Sequence, residues 1–157
     1  LSKIKKSIVS IFFLLMSILF LAANVHVSSN FYSRFTDEVP VEYKADIINK
    51  TNNLNFLRGQ NTNLQLRLVN EGSHVWNSSE PQPVILSYNI LDSNLKAVKS
   101  DLGNIVIPGE IYYKYFVDVD VPITIPNVKG AYYIQFNLKK GYEIVYTVNE
   151  KLKIEVR

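Results

Sequence analysis

Asp118 and Asp120 are residues whose type and spacing could do chemistry. On a strand, side chains two apart share a face, and paired carboxylates on one face bind calcium or hydrolyse glycosidic bonds. Lys114 falls on that same face and few further oxygen ligands are evident, so the plainer reading is a charged strand that resists edge aggregation. His74 is the only His apart from His26, and Ser73, Glu71 and Glu80 lie near it in sequence. Neighbours on one loop rarely converge into nucleophile, base and orienting acid, and zinc takes three or four ligands. Asn49-Lys-Thr51 and Asn77-Ser-Ser79 match the N-glycosylation acceptor pattern, which arises readily in an Asn-rich chain. Trp76, the single Trp, either stacks on a ligand or plugs the end of a core. A Trp between strands contributes most as buried area.

The elements that would position these residues are strands. Leu64, Leu66 and Leu68 alternate with Gln65 and Arg67, the period of a strand with one buried face. Val84, Leu86, Tyr88 and Ile90 alternate with Ile85, Ser87 and Asn89. Tyr132, Ile134, Phe136 and Leu138 do so with Tyr133, Gln135, Asn137 and Lys139. Val41, Tyr43, Ala45 and Ile47 mark a first strand, and Leu152, Ile154 and Val156 a last one. Residues 113–121 read as the longest clean strand, 96–101 as a short one, and 142–148 as a strand without clear polarity. Residues 49–63 read as loop, Pro108-Gly109 as a turn, and Pro122 and Pro126 as brackets of a crossover. Turn signals between short strands point to an all-β sandwich or barrel. The expected count is seven or eight strands in one domain over residues 39–157.

The N-terminus is of another kind. Lys3, Lys5 and Lys6 precede an apolar run over residues 8–23 that only Ser10 and Ser17 interrupt. A basic start, an apolar core and small residues near Ala22 and Ala23 are the layout of a secretory leader. The run also approaches the length that spans a bilayer as a hydrophobic helix, about 17–25 residues. Residues 1–29 are therefore read as a signal peptide or a membrane anchor, with the membrane as partner if uncleaved, and 30–38 as a tether. Of 17 basic residues those three lysines precede Asn24, whereas all 14 acidic residues follow it. The rest of the chain is formally neutral, so it has no electrostatic footprint for nucleic acid. The absence of Cys excludes thiol catalysis, Cys-ligated metals and a lipoprotein lipobox.

Lys129-Gly-Ala-Tyr132, with Ile134 two residues on, is similar to the start of strand F in immunoglobulin-like domains. There a Tyr hydroxyl folds back on the E–F corner and a Cys follows two residues later. Ile134 occupies that Cys position, so apolar packing would replace the disulfide. The longer series Val69-Asn-Glu-Gly-Ser-His-Val-Trp76, Pro83-Val-Ile-Leu-Ser-Tyr88, Asp92, Ile107-Pro-Gly-Glu110 and Gly130-Ala-Tyr132 resembles a bacterial Ig-like/fibronectin-III-like domain. Such domains accompany cell-surface polysaccharide proteins, and a related Trp-containing sandwich occurs in an autophagy receptor family. The resemblance covers about residues 60–157. It implies an accessory module that binds or spaces, with no cofactor. Members often carry an aromatic pair after an Asx/Glu-Gly turn; here Gly141 is followed by Tyr142-Glu-Ile-Val145, which departs from that pattern.

If residues 84–90 and 131–139 are strands C and F, they lie side by side. Ser87, Asn89, Tyr133, Gln135 and Asn137 then point outward together, offering hydrogen bonds around one flat ring, a composition that suits a sugar. With Trp76 these are the candidate ligand-binding residues. The expectation is an exported, bacterial, non-catalytic Ig-like module, secreted or anchored, that binds a cell-surface glycan or protein or acts as a spacer. Two alternatives are a small carboxylate-dependent hydrolase and a strand-adding accessory or chaperone-like subunit.

Overall fold

A computed structural model describes residues 41–157; the leader, anchor and tether expectations for residues 1–38 lie outside them. Ten strands follow in order: β1 (Ala45–Asn49), β2 (Asn55–Phe56), β3 (Asn61–Asn70), β4 (Trp76–Asn77), β5 (Val84–Leu91), β6 (Ala97–Val106), β7 (Glu110–Ile111), β8 (Phe116–Thr124), β9 (Gly130–Lys140) and β10 (Glu143–Val156). Among the described residues seven strands have five or more residues and three have two. They form a three-stranded sheet, β1-β3-β8, a five-stranded sheet, β2-β10-β9-β5-β6, and the small β4-β7 pair. All pairings are antiparallel except β2 with β10. The all-β expectation holds for these residues.

Alternation builds the core. Leu64, Leu66 and Leu68 from β3 and Val121 and Ile123 from β8 meet Val84, Leu86, Tyr88 and Ile90 from β5 and Tyr132, Ile134, Phe136 and Leu138 from β9 in one buried cluster. Each fully buried aliphatic side chain contributes about 1.5–3 kcal/mol, and Ile134 packs here without solvent exposure. Tyr88 adds a polar tie between the sheets, donating its hydroxyl to the Pro122 carbonyl at 3.0 Å.

Five expectations along the chain are corrected. Residues 112–115 form a turn, with Lys114 at φ 65°, and β8 begins only at Phe116. Tyr112, Tyr113, Tyr115 and Phe116 are aromatic on both phases of the alternation, so no single face can bury them. Pro122 lies inside β8 rather than in a crossover. β8 is an edge strand, where a missing N–H is tolerated. The Asn-rich stretch read as loop contains β2, whose Phe56 is buried. Residues 142–148 and the last strand are one long β10, interrupted by a register shift between Thr147 and Lys151. β6 likewise outruns its expected end, with positive φ at Asp101, Gly103 and Asn104. A Cβ at Gly103 would stand 2.8 Å from the Tyr88 ring, so that close approach requires glycine.

The Tyr132 hydroxyl donates to the Val128 carbonyl at 2.9 Å. This is the corner contact that the resemblance implies. Tyr132→Phe keeps the ring and removes that bond, so urea melts should show a loss of about 0.5–1.5 kcal/mol, the net worth of one ordinary hydrogen bond. An unchanged midpoint would mean the corner does not secure the turn.

Candidate functional site

β5 and β9 pair with Ser87 opposite Asn137 and Asn89 opposite Gln135. Adjacent placement is as expected; exposure is not. Ser87 and Asn137 are 0 % and 2 % exposed, so the expectation that they present polar groups to solvent is corrected. The reason lies in β6 and β10. Lys139 is buried on the same face, with its Nζ on the Asp101 carboxylate at 2.6 and 2.9 Å and on Asn104 Oδ1 at 3.3 Å. The positive-φ residues of β6 carry both of those acceptors. Thr147 donates to Asn137 Oδ1 from β10, and Asn89 Oδ1 accepts the Asp101 N–H. Intramolecular contacts therefore occupy the middle of this face. Asn89, Tyr133 and Gln135 remain half-buried. Trp76 is fully buried in the core, so in this conformation its ring has no free face for a ligand.

Asp118 and Asp120 are exposed on β8. Arg67 donates to both oxygens of Asp118, at 2.8 and 2.9 Å, and Lys50 donates at 3.1 Å. These hydrogen bonds hold the Asp118 carboxyl far below the usual carboxylate range. A glycosidase acid needs the opposite shift.

A groove and a buried polar hub lie at the end of the sandwich where β3 finishes. Asn70 organises it. Its side chain is fully buried, donating to the His74 and Ile111 carbonyls at 2.8 Å each and accepting the Gly72 N–H at 3.0 Å. Its carbonyl accepts the Lys114 N–H at 2.7 Å, and its N–H donates to Tyr115 at 3.0 Å. One residue thus joins the β3–β5 loop, β7 and the turn before β8.

That loop is also clamped to β9. Lys140 Nζ lies 3.0 Å from Glu80 Oε2 and 3.4 Å from His74 Nε2, and the His74 ring packs on Tyr43 with centroids 4.5 Å apart. Burial, and then the Lys140 charge, push the His74 pKa down, against an opposing pull from Glu80. The hydrogen bond to Lys140 lowers the Glu80 pKa. Beside this clamp runs a groove of about 630 Å³, lined by Pro81, Gln82, Pro83, Ile85, Lys140 and the Gly141 to Glu143 turn. A Cβ at Gly141 would stand 3.5 Å from the Gln82 side chain. Ile85 belongs to the outer face of the five-stranded sheet, so the groove opens there. Tyr142 stands at its rim, 99 % exposed.

No protein-family model matches this chain. No curated protein matches it. Among solved structures it is similar to a CARDB domain from Pyrococcus furiosus, determined in complex with di-metal ions. That alignment covers 74 % of this chain and 89 % of that domain, at 14 % identity and a TM-score of 0.44. Among the described residues of this chain no three His, Asp or Glu side chains form a group that could hold a metal.

The groove, the Lys140 clamp and the Asn70 hub were not read as a site from the sequence. Glu80-Pro-Gln-Pro83 and the lone Tyr after Gly141 were the available signals, but they lie some sixty residues apart. Only the β5–β9 pairing joins them.

Asn70→Ala would leave two carbonyls and one N–H without their partner. The expected cost is about 3 kcal/mol or more, given roughly 1–3 kcal/mol for each of the three groups left unpaired; urea denaturation measures it. His74 yields a pH signature. Its folded pKa lies below the unfolded value near 6.5, so the unfolded chain binds the proton more readily. Stability is unaffected above that pH and declines as pH falls toward the lowered value. Glu80 stays ionised across that window. His74→Gln should flatten the difference between urea midpoints at pH 7 and pH 5, with His26 common to both proteins. A slope equal to that of the native chain would contradict this.

Proposed function

We propose that this chain is a non-catalytic Ig-like module. In this reading residues 1–29 carry it to the outside of a bacterial cell, where it is secreted or held by the apolar run. Its task is recognition of a surface glycan through the groove between the β3–β5 loop and the β9–β10 turn. One observation carries the reading: the Tyr142 ring, almost wholly exposed, stands at the rim of a groove whose walls mix apolar and polar groups. A ring so placed adds little to the core, whereas it offers a sugar a stacking platform. Gln82 and Glu143 supply donors and acceptors beside it, and Pro81 and Pro83 keep the opposite wall stiff.

The carboxylate-hydrolase alternative is disfavoured by the pairing of Asp118 with Arg67 and Lys50. Strand addition is disfavoured at two of the sheet edges: β8 carries Pro122 and two carboxylates, and β6 is irregular in register with β5. The expected face is retained in reduced form, because Tyr133, Gln135 and Asn89 lie further along the sheet face onto which the groove opens.

A glycan array probed with the detergent-extracted full chain should identify a ligand. Tyr142→Ala should then weaken binding about tenfold or more, the scale of a lost aromatic contact worth about 1.4 kcal/mol or more, without moving the urea midpoint. Tyr133→Ala tests whether the site extends along the sheet. If Tyr142→Ala binds as the native chain does while Tyr133→Ala does not, the site is the sheet face and not the groove. If no glycan binds, the spacer or protein-partner reading replaces this one.

A further inference from the structure

The turn between β7 and β8 presents four aromatic side chains to solvent: Tyr112, Tyr113, Tyr115 and Phe116 are 51 %, 57 %, 67 % and 54 % exposed. They are not loosely displayed. The Lys114 N–H reaches the Asn70 carbonyl, the Asn70 N–H reaches the Tyr115 carbonyl, and Tyr115 closes the turn onto Tyr112 at 3.0 Å. Tyr112 and Tyr115 meet edge to face at 6.2 Å. Phe116 is backed by the Arg67 guanidinium, 3.9 Å from its ring centre. Rings fixed before contact lose little conformational freedom on binding. Contiguous exposed aromatics of this kind mark an interaction surface.

We infer that this turn docks on the lipid bilayer, with its Tyr and Phe rings at headgroup depth. The inference rests on reading residues 8–23 as an uncleaved anchor. Three observations favour lipid over a soluble partner. First, the rings project from a turn, which suits burial in an interfacial layer rather than enclosure of a ligand. Second, the chain enters the domain at the same end of β3. Glu71 N–H donates to the Lys44 carbonyl on the β1 side, and the Asn70 carbonyl accepts Lys114 on the β8 side. Two strand spacings, about 10 Å, separate those flanks. Third, only residues 24–40 lie between the apolar run and the described domain, a reach of at most about 55–60 Å when extended. A tether of that length holds the turn near the surface at an effective concentration on the order of millimolar. Even a free-standing affinity of about 1 mM would then keep the turn docked about half the time. The local charges are paired, Lys114 with Glu71 and Arg67 with Asp118, so zwitterionic lipid should suffice.

The chain contains no Cys, so single labels can be placed in it without removing native thiols. Tyr113→Cys and Val128→Cys would each carry an environment-sensitive fluorophore. Val128 is 68 % exposed, on the connection between β8 and β9 at the opposite end of the sandwich. Both labelled chains would be reconstituted into phosphatidylcholine vesicles containing a lipid with a shallow nitroxide quencher. Both should float with the vesicles, and the label at 113 should be quenched several-fold more than the label at 128. Flotation with equal quenching overturns the docking inference, leaves the anchor reading intact and assigns the turn to a soluble partner. Failure to float overturns both. Adding Tyr112→Ser, Tyr115→Ser and Phe116→Ser to the Tyr113→Cys chain should abolish the excess quenching. If the excess persists, the dye rather than the turn enters the lipid, and the inference fails.

Discussion

One buried amide governs how this sandwich ends. Asn70 is the last residue of β3, and both its side-chain and its backbone groups bind segments distant in sequence. In an apolar surrounding each of those groups would be costly to leave unpaired, so satisfying them dictates where the neighbouring loops run. Gly72 shows how tightly: a Cβ there would lie 2.2 Å from the Glu42 carbonyl oxygen. The incoming chain is thus pressed against the β3–β5 loop, and that loop in turn reaches Lys140 through Glu80 and His74. The exposed aromatic turn and the Tyr142 groove lie at the end of the molecule that this network organises.

Elsewhere the molecule withdraws polar groups from solvent. Lys139 is drawn over the sheet by Asp101, and Ser87 and Asn137 lie buried beside one another in register. Ser87 Oγ, Asn137 Nδ2 and Trp76 Nε1 are buried without a hydrogen-bond partner. Each carries a desolvation cost on the order of 1–3 kcal/mol, which the surrounding apolar burial must offset. The centre of the broad sheet is therefore closed by its own contacts, and the groove beside Tyr142 lies at one end of it.

Much of this was legible in the residues. Period-2 alternation marked Leu64, Leu66 and Leu68, the inward residues of β5 and those of β9 as core, because a strand with one buried face must repeat every second residue. The Tyr132 corner was implied by the resemblance of Lys129-Gly-Ala-Tyr132 to the start of an immunoglobulin-like strand F, and the Tyr132–Val128 bond matches it. Alternation failed where its premise fails. It cannot show that an outward face will be covered, as at Ser87 and Asn137. It cannot separate a strand from a turn when aromatics occupy both phases, as at residues 112–116. A two-residue strand such as β2 is too short to carry a period at all.

The sequence by itself therefore determined the all-β class, the inward side of β3, β5 and β9, and the contrast between an apolar basic N-terminus and a neutral remainder. Each of these depends on residue type and local spacing alone. Tertiary structure decided which outward groups stay wet, that Asp118 serves Arg67 and Lys50, and that Gln82 and Gly141 line one groove. It also decided that Asn70 ties the chain's entry to the aromatic turn. Those outcomes depend on long-range pairing between residues some forty to seventy positions apart, and no local pattern encodes such a pairing until the sheets have formed.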